Sequence, residues 1–350
     1  MALQMKRSWN ELASDDEADD PSDEQETEDW SASSAVVLSP PSSKDTSQPY
    51  YGASSKCVPQ AHSNQNEHKR TIVHVDLDCF YAQVEMIRNP ELRTKPLGIQ
   101  QKNIVVTCNY VAREYGVTKL MYIKDAKEKC PNLVLVSGED LTHYREYSQR
   151  VSDLLQSEFS TLVEKLGFDE NFVDVSSLVE DRLKAYQGKP KMEVKGHIFG
   201  SENEGSSSQC SCGCHQRLAV GSQIAGEMRE RLKEVIGLTG CAGIAWNKLL
   251  AKLVGERHKP NDQTTLFPGR EQQLMIGLEK ARRIPGIGHS MNKKLSTLGI
   301  TTVLELQKAS SAELEAVFGS QITAMMKNSS FGIDKSPVNK TGPPQVLKAC

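Results

Sequence analysis

The chain has no apolar run approaching the roughly 18 residues of a membrane-spanning helix and no basic-apolar-small leader pattern, so neither a helical span nor a secretory route is expected. It also lacks a disulfide framework. Its cysteines fall at positions 57, 79, 108, 130, 210, 212, 214, 241 and 350 without the regular spacing of a stapled secreted domain, which points to a reducing compartment, cytosol or nucleus. Nor does one sign of charge dominate, since 42 Lys and Arg face 45 Asp and Glu. That balance averages two unlike parts. Residues 1–70 hold 13 acids and 6 bases, which leaves 32 acids and 36 bases in residues 71–350. The second part is mildly basic, which permits nucleic acid as a partner without demanding it. The first part combines Asp/Glu runs with Ser, Pro and Gln and is expected to be disordered, because it cannot bury enough apolar surface to offset chain entropy.

At 350 residues the chain is long enough for about two or three domains. A strand over 71–78 is followed by helical spacing over 79–87, which Asn89-Pro90 ends. Short strands are expected at 96–100 and 103–108, short helices at 109–115 and 123–130, and a strand at 133–136. A long amphipathic helix should open at Gly138-Glu-Asp and run to about Glu158. Further on the pattern predicts a strand at 194–198, a helix at 221–236, a strand at 239–245 and a helix at 247–258. Strands and helices mix without strict alternation, so an α+β layer fits better than a doubly wound sheet. From about residue 270 the chain reads as helical.

The chemistry gathers where strands end. Thr71-Ile-Val-His-Val-Asp-Leu-Asp-Cys-Phe-Tyr81 is an apolar run closing on Asp76 and Asp78, two residues apart and so on one face of a strand. Leu166-Gly-Phe-Asp-Glu-Asn-Phe-Val-Asp174 repeats the device with the adjacent acids Asp169 and Glu170. Carboxylates brought together need a positive charge to offset them, and hard divalent cations take oxygen ligands of this kind. Asp76, Asp169, Glu170 and the Leu77 carbonyl could hold two ions about 3.5 to 4 Å apart, an arrangement suited to phosphoryl or nucleotidyl transfer. Asp78 or Asp174 alone would be read as an ordinary turn acid.

Two other stretches stand out. Ile284-Pro-Gly-Ile-Gly288 forms a Gly-rich turn between helices expected at 274–282 and 290–298, leaving backbone N–H groups at a helix N-terminus that suit a phosphate oxygen; Lys293 and Lys294 add charge, although a plain tight turn is the duller alternative. Residues 200–216 are a polar low-complexity insert. Cys210, Cys212, Cys214 and His215 make four potential zinc ligands there, but spaced more tightly than a CxxC knuckle, so a flexible loop with incidental metal affinity is the favoured reading.

Five stretches in order resemble the Y-family, the translesion DNA polymerases. His74-Val-Asp-Leu-Asp-Cys-Phe-Tyr-Ala-Gln-Val-Glu85 resembles its first catalytic motif, and Val106-Thr-Cys-Asn-Tyr-Val-Ala-Arg-Glu-Tyr-Gly116 its fingers motif. Gly167-Phe-Asp-Glu170 resembles the second metal motif. Asn247-Lys-Leu-Leu-Ala-Lys-Leu with Lys259-Pro-Asn261 resembles the palm motif near the polyphosphate, and Ile284 to Gly288 the thumb hairpin. The resemblance implies a right-hand architecture. Its palm would take residues 71–79 and 141–266, the fingers 80–140, the thumb 267–333, and a linker 334–350. It implies two Mg²⁺ ions, or Mn²⁺, on Asp76, Leu77, Asp169 and Glu170. It also implies that Tyr110, Arg113 and Lys259 hold the incoming triphosphate with Thr107 and the backbone of Cys79 and Phe80, and that Tyr81 is a steric gate excluding a 2′-hydroxyl. Gly286, Gly288 and Lys293 would touch DNA. Pro96 to Lys102 and Leu238 to Ala245 most resemble one branch of the family, in which Gln101, Lys102 and Ile104 would pack against the templating base.

The partners implied are primer-template DNA and deoxynucleoside triphosphates, with nuclear residence and no membrane. Family members continue past the thumb into a little-finger domain that grips DNA; here the chain stops just past Thr341-Gly-Pro-Pro344, so that domain and the later clamp-binding and ubiquitin-binding segments are expected to be absent. Trp246 stands where a small residue is usual. Two rival readings follow. One is a catalytically weak or silent isoform that binds DNA or a partner; the other is a nucleotidyl cyclase, against which the thumb hairpin and fingers motif argue.

Overall fold

A computed structural model describes residues 68–185, 193–200 and 210–341. Of the tail expected to be disordered over 1–70, residues 1–67 lie outside the described residues, as do the middle of the polar insert and the end of the expected linker; residues 68–70 are ordered instead, with His68 buried and Arg70 donating to the Ser336 carbonyl at 2.7 Å.

In chain order the elements are β1 (Ile72–Leu77), α1 (Phe80–Arg88), β2 (Leu97–Gln101), β3 (Ile104–Cys108), α2 (Tyr110–Glu114), β4 (Met121–Tyr122), α3 (Ile123–Lys129), β5 (Val134–Ser137), α4 (Thr142–Glu158), β6 (Val163–Leu166), β7 (Glu170–Asp174), α5 (Ser176–Ala185), β8 (His197–Ile198), α6 (Cys214–Val235), β9 (Gly240–Ala245), α7 (Lys248–Gly255) and β10 (Gln263–Thr265). Helices α8 (Glu271–Ile276), α9 (His289–Thr297), α10 (Val303–Lys308), α11 (Ser311–Phe318) and α12 (Ser320–Ser330) follow. The architecture is α+β, as expected.

One sheet carries the acids. Its order is β6-β7-β1-β9-β10-β8, with β1 antiparallel to both β7 and β9. The register sets Asp76 opposite Glu170 on one side and Cys241 on the other, so the two acid motifs meet across a strand pair. Strand β9 is buried along its whole length, and its small residues allow this. A Cβ on Gly243 would lie 1.9 Å from the Ala251 carbonyl and 2.6 Å from the Gly255 nitrogen, so α7 can cross β9 only over a bare backbone. Helix α7 then buries Leu249, Leu250, Leu253 and Val254 in the core and turns Lys248 and Lys252, one turn apart, toward β6 and β7.

The second sheet, β4-β3-β2-β5, lies within residues 97–137. It has its own small core of Val105, Cys108, Ala112, Val117, Ala126, Cys130 and Leu133. Asn109 ties it together: its side-chain oxygen caps α2 by accepting from the Ala112 N–H at 3.0 Å and also accepts from the Leu97 N–H at 3.0 Å. The helices beyond residue 270 share the main core through Leu274, Leu295, Leu314 and Met326.

Several boundaries differ from those expected. Helix α4 starts at Thr142 because the Asp140 carboxylate accepts from the Thr142 N–H at 2.9 Å, an Asx turn that delays the helix past the acids. Helix α6 begins seven residues earlier than the apolar pattern predicts, at Cys214, so residues 214–216 of the polar insert are helical. Strand β8 holds two residues rather than the five expected. The helix expected over 274–282 is split into α8 and a 3₁₀ turn at Ala281–Arg283, because Gly277 ends α8 and Glu279 takes a left-handed φ of 59°.

Candidate active site

Asp76 leaves β1 beside its end, and the Leu77 N–H donates to the Asp169 carbonyl at 3.0 Å, which locks the turn before β7 against the first motif. Three acids therefore crowd one end of the sheet's interior strands β1 and β7, and cations answer them. Lys259 donates to Asp76 at 2.7 Å. Lys252 forms an ion pair with Glu170, and the His74 imidazole lies 3.0 Å from the same carboxylate.

The electrostatics split the three acids. Burial, then the Asp76 and Glu170 charges, push the Asp169 carboxyl up to about 6. Burial would raise Glu170 as well, but His74 and Lys252 outweigh it and bring it down to about 2. Lys259 is raised above the usual lysine range because Asp76 more than offsets its burial. At Asp169 burial and the two neighbouring acids outweigh the nearby Lys259 charge, and the set still carries like-charge repulsion for a divalent ion to relieve. The donor set is all oxygen, as a hard cation prefers, so Asp76, Asp169, Glu170 and the Leu77 carbonyl fit a divalent metal chemically. Two of those acids are held by lysines, Asp76 by Lys259 and Glu170 by Lys252. Among the described residues, the one His, Cys, Asp and Glu group drawn within metal-binding reach lies elsewhere.

Asp78 serves another purpose. It is 5% exposed and accepts from the Thr239 hydroxyl at 2.9 Å and the Asn261 N–H at 3.0 Å. Lys259 and Asn261 thus hold Asp76 and Asp78 from one loop, and Asp78 anchors the loop that delivers Lys259. Asp174 accepts from the Ser176 N–H at 3.0 Å at the start of α5, a turn role.

Around the acids sit the other expected residues. Helix α1 opens at Phe80 with Cys79 at a left-handed φ of 36° and no side-chain cap, so its first N–H groups lack intrahelical acceptors next to the acids. The Tyr81 ring stacks on Tyr144 at 4.0 Å and 13°, and Tyr144 donates to Glu85 at 3.0 Å, fixing the tyrosine pair. Burial and then Asp169 raise the Tyr81 hydroxyl. On α2 the Arg113 guanidinium lies 4.7 Å from the Tyr110 ring centroid. Burial and then the Asp78 charge raise the Tyr110 hydroxyl. Thr107 sits half-buried on β3 opposite Ile99.

The remaining expected residues lie apart. Lys102, at φ 50°, forms the β2–β3 hairpin; its N–H donates to Glu139 at 2.8 Å, Gln101 donates to the Gly138 carbonyl at 2.7 Å, and Ile104 pairs with Gln101 and Tyr122. Their partners are the 138–139 turn and strand β4 rather than the acids. Gly286, at φ 94°, and Gly288, the N-cap of α9, flank buried Ile287, and Lys293 is exposed on α9. His74 and Lys252 are additions to the expected set. Both had a signal: His74 is two residues from Asp76, hence on its face of β1, and Lys252 is four from Lys248 in the palm motif.

The geometry and the comparisons define the class. Residues 75–256 match the impB/mucB/samB family, and the chain belongs to that family, the Y-family polymerases. Residues 282–334 match the family described as DNA polymerase-iota, thumb domain. The chain is 55% identical to DNA polymerase iota of Homo sapiens over 282 residues, 80% of this chain and 37% of that protein. It is 53% identical to DNA polymerase iota of Mus musculus over 296 residues, 84% of this chain and 41% of that protein. DNA polymerase IV of Francisella tularensis subsp. holarctica is 32% identical over 274 residues, 77% of this chain and 67% of that protein. The chain thus spans about two fifths of the length of the polymerase iota relatives it matches. No helix among the described residues is long and apolar enough to cross a membrane.

Proposed function

We propose that this chain carries the nucleotidyl-transfer core of a translesion DNA polymerase, extending a primer 3′-hydroxyl with a deoxynucleotide chosen by the template. The observation that carries the reading is the meeting of Asp76, Asp169 and Glu170 at one end of β1 and β7, matched by Lys252 and Lys259, in a chain of this family. Asp76, Asp169, Glu170 and the Leu77 carbonyl would hold two Mg²⁺ or Mn²⁺ ions. Bound there, such ions activate the attacking hydroxyl and neutralise charge on the leaving pyrophosphate.

The protein groups do the rest. Lys259, paired with Asp76, is the ammonium that would meet the charge of the triphosphate. Arg113 and Tyr110, held against each other, present a cation and a hydroxyl from the second sheet, with Thr107 and the open N–H groups of Cys79 and Phe80 beside them. Tyr81, fixed by its stack on Tyr144, is the ring that would exclude a 2′-hydroxyl. Gln101, Lys102 and Ile104 would border the templating base, and Gly286, Gly288 and Lys293 would hold DNA phosphate. Primer-template DNA and deoxynucleoside triphosphates are the partners, which sets the working site in the nucleus.

Single-nucleotide primer extension at low salt tests the reading, with Asp169→Ala/Glu170→Ala as the control. Metal-dependent addition that the double substitution abolishes is the expected result. No addition by a folded chain that still binds primer-template would overturn it in favour of a silent, DNA-binding role.

A further inference from the structure

We propose that His68, Cys210, Cys212 and Cys214 form a structural zinc site outside the polymerase centre. The three sulfurs and one ring nitrogen lie within 4.8 Å of one another. Bonds of about 2.3 Å to sulfur and 2.0 Å to nitrogen give a tetrahedron with edges of about 3.5 to 3.8 Å, so a bound ion needs the widest separations to close by about 1 Å and the Cys210–Cys212 pair to open by about 0.7 Å. Cys210 Sγ lies 3.9 Å from His68 Nδ1 and 3.1 Å from Cys212 Sγ.

The tight Cys-x-Cys-x-Cys spacing looks unfit for zinc in sequence because the expected fourth ligand is the adjacent His215. The structure supplies a different one, His68, from more than a hundred residues away. Gly213, at φ 77°, turns the chain so that Cys214 becomes the first residue of α6, which brings its sulfur back beside Cys210 and Cys212. His215 instead lies flat on Phe267, with centroids 4.9 Å apart and planes 8° from parallel, while its Nδ1 is 3.7 Å from Cys214 Sγ.

The surroundings suit an ion with three thiolates, which together leave one net negative charge. Arg217 donates to Cys212 Sγ at 3.7 Å and to the His68 carbonyl at 2.9 Å, offsetting that charge while fixing the histidine's backbone. The His68 ring meets Trp246 edge-on at 4.8 Å and 67°. Cys214 is fully buried and His68 and Trp246 are 8% and 6% exposed, so much of the site is shielded from water. This gives the unusual Trp246 a purpose: it walls the histidine. The ion would join the segment leading into β1 to the start of α6, with the β9–α7 junction packed against its histidine through Trp246.

The test is metal analysis of the full chain, purified with a non-metal reductant and dialysed against a weak chelator. About one zinc per chain is expected, exchangeable for Co²⁺ with the thiolate charge-transfer bands of a tetrahedral site. Cys210→Ser/Cys212→Ser should lose the metal, His68→Ala should weaken retention at least tenfold, and His215→Ala should leave it unchanged. In the unaltered chain, a strong chelator should lower the melting temperature by several degrees, and zinc should restore it. Zinc-free protein with all three thiols reactive, or a Cys210–Cys212 disulfide under reducing purification, overturns the site. Loss of metal on His215→Ala with retention on His68→Ala overturns the ligand set.

Discussion

Asp169 is the residue on which the site's electrostatics turn. Its carboxyl is held at about 6 against an ordinary 3.8, so between those values the folded chain binds more protons than the unfolded one. Stability contributed by this group therefore falls as pH rises from 3.8 through about 6, and the deprotonated group remains a burden at neutral pH. Glu170 acts in the opposite sense: held at about 2, it contributes stability that is present above 4.5 and lost as pH falls toward 2. In metal-free solution at pH 7, Asp169→Asn should stabilise the chain by about 1–2 kcal/mol after allowing for solvent access, and by little at about pH 4. Urea unfolding with a chelator at both pH values checks this, and an equal effect at the two would remove the repulsion argument. The same variant should abolish metal-dependent primer extension, a trade of stability for function common at active sites.

Lys259 belongs to the same scale. It pairs with Asp76 at 2.7 Å, and in the proposed function it meets the nucleotide's charge. Lys259→Met should raise the KM for the deoxynucleotide and lower kcat in steady-state extension, since an ammonium that meets charge building in the transition state serves both quantities. An unchanged kcat/KM would move the triphosphate away from this side chain.

At the scale of elements, the decisive contact is α7 on β9. Gly243→Ala should cost about 3 kcal/mol or more, because its methyl would collide with backbone, which cannot step aside as a flexible side chain can. Moving α7 would also pull Lys252 from Glu170, so metal-dependent extension should fall with the stability. Asn247 works at the same junction. Its side-chain oxygen accepts from the Leu250 N–H at 2.8 Å as the α7 cap, and its amide donates to the Gly332 carbonyl at 2.9 Å. Asn247→Ala removes the cap and strips a buried carbonyl of its donor, for an expected loss of about 2–3 kcal/mol in chemical denaturation. A loss within about 0.5 kcal/mol would show that water replaces both bonds.

Elements with a strong local signal are legible in the sequence. The apolar run into Asp76, the helix stopped by Asn89-Pro90 and the small-residue strand 239–245 all lie within a residue or so of their expected bounds. The misses have particular causes. Helix α6 starts at Cys214 because Gly213 supplies the turn, a backbone event that the apolar pattern from residue 221 does not carry. Lys252 and His74 carried only a local spacing signal, because their partner, Glu170, is distant in sequence and meets them only through the β1–β7 register and the α7 crossing. His68 was hidden entirely: no local pattern ties it to cysteines beyond position 200.

Across the whole molecule the charge is distributed unevenly, and that bears on how DNA is held. The acid cluster repels phosphate unless cations cover it, whereas the α9 region presents exposed Lys293 and Lys294 beside the Gly286 and Gly288 turn. Lys294 lies 6.0 Å from the Phe318 ring, so one of the two is partly positioned by α11. If this turn takes backbone phosphate, its contribution is electrostatic and indifferent to sequence. Lys293→Ala/Lys294→Ala should then weaken primer-template binding similarly for different sequences and reduce the slope of log K against log salt by roughly 1–2. Both side chains are on the surface, so folding should be unaffected. Fluorescence anisotropy over a salt series measures the slope directly. An unchanged slope would mean that Ile284 to Gly288 is only a tight turn between helices and that the grip on DNA lies elsewhere in the chain.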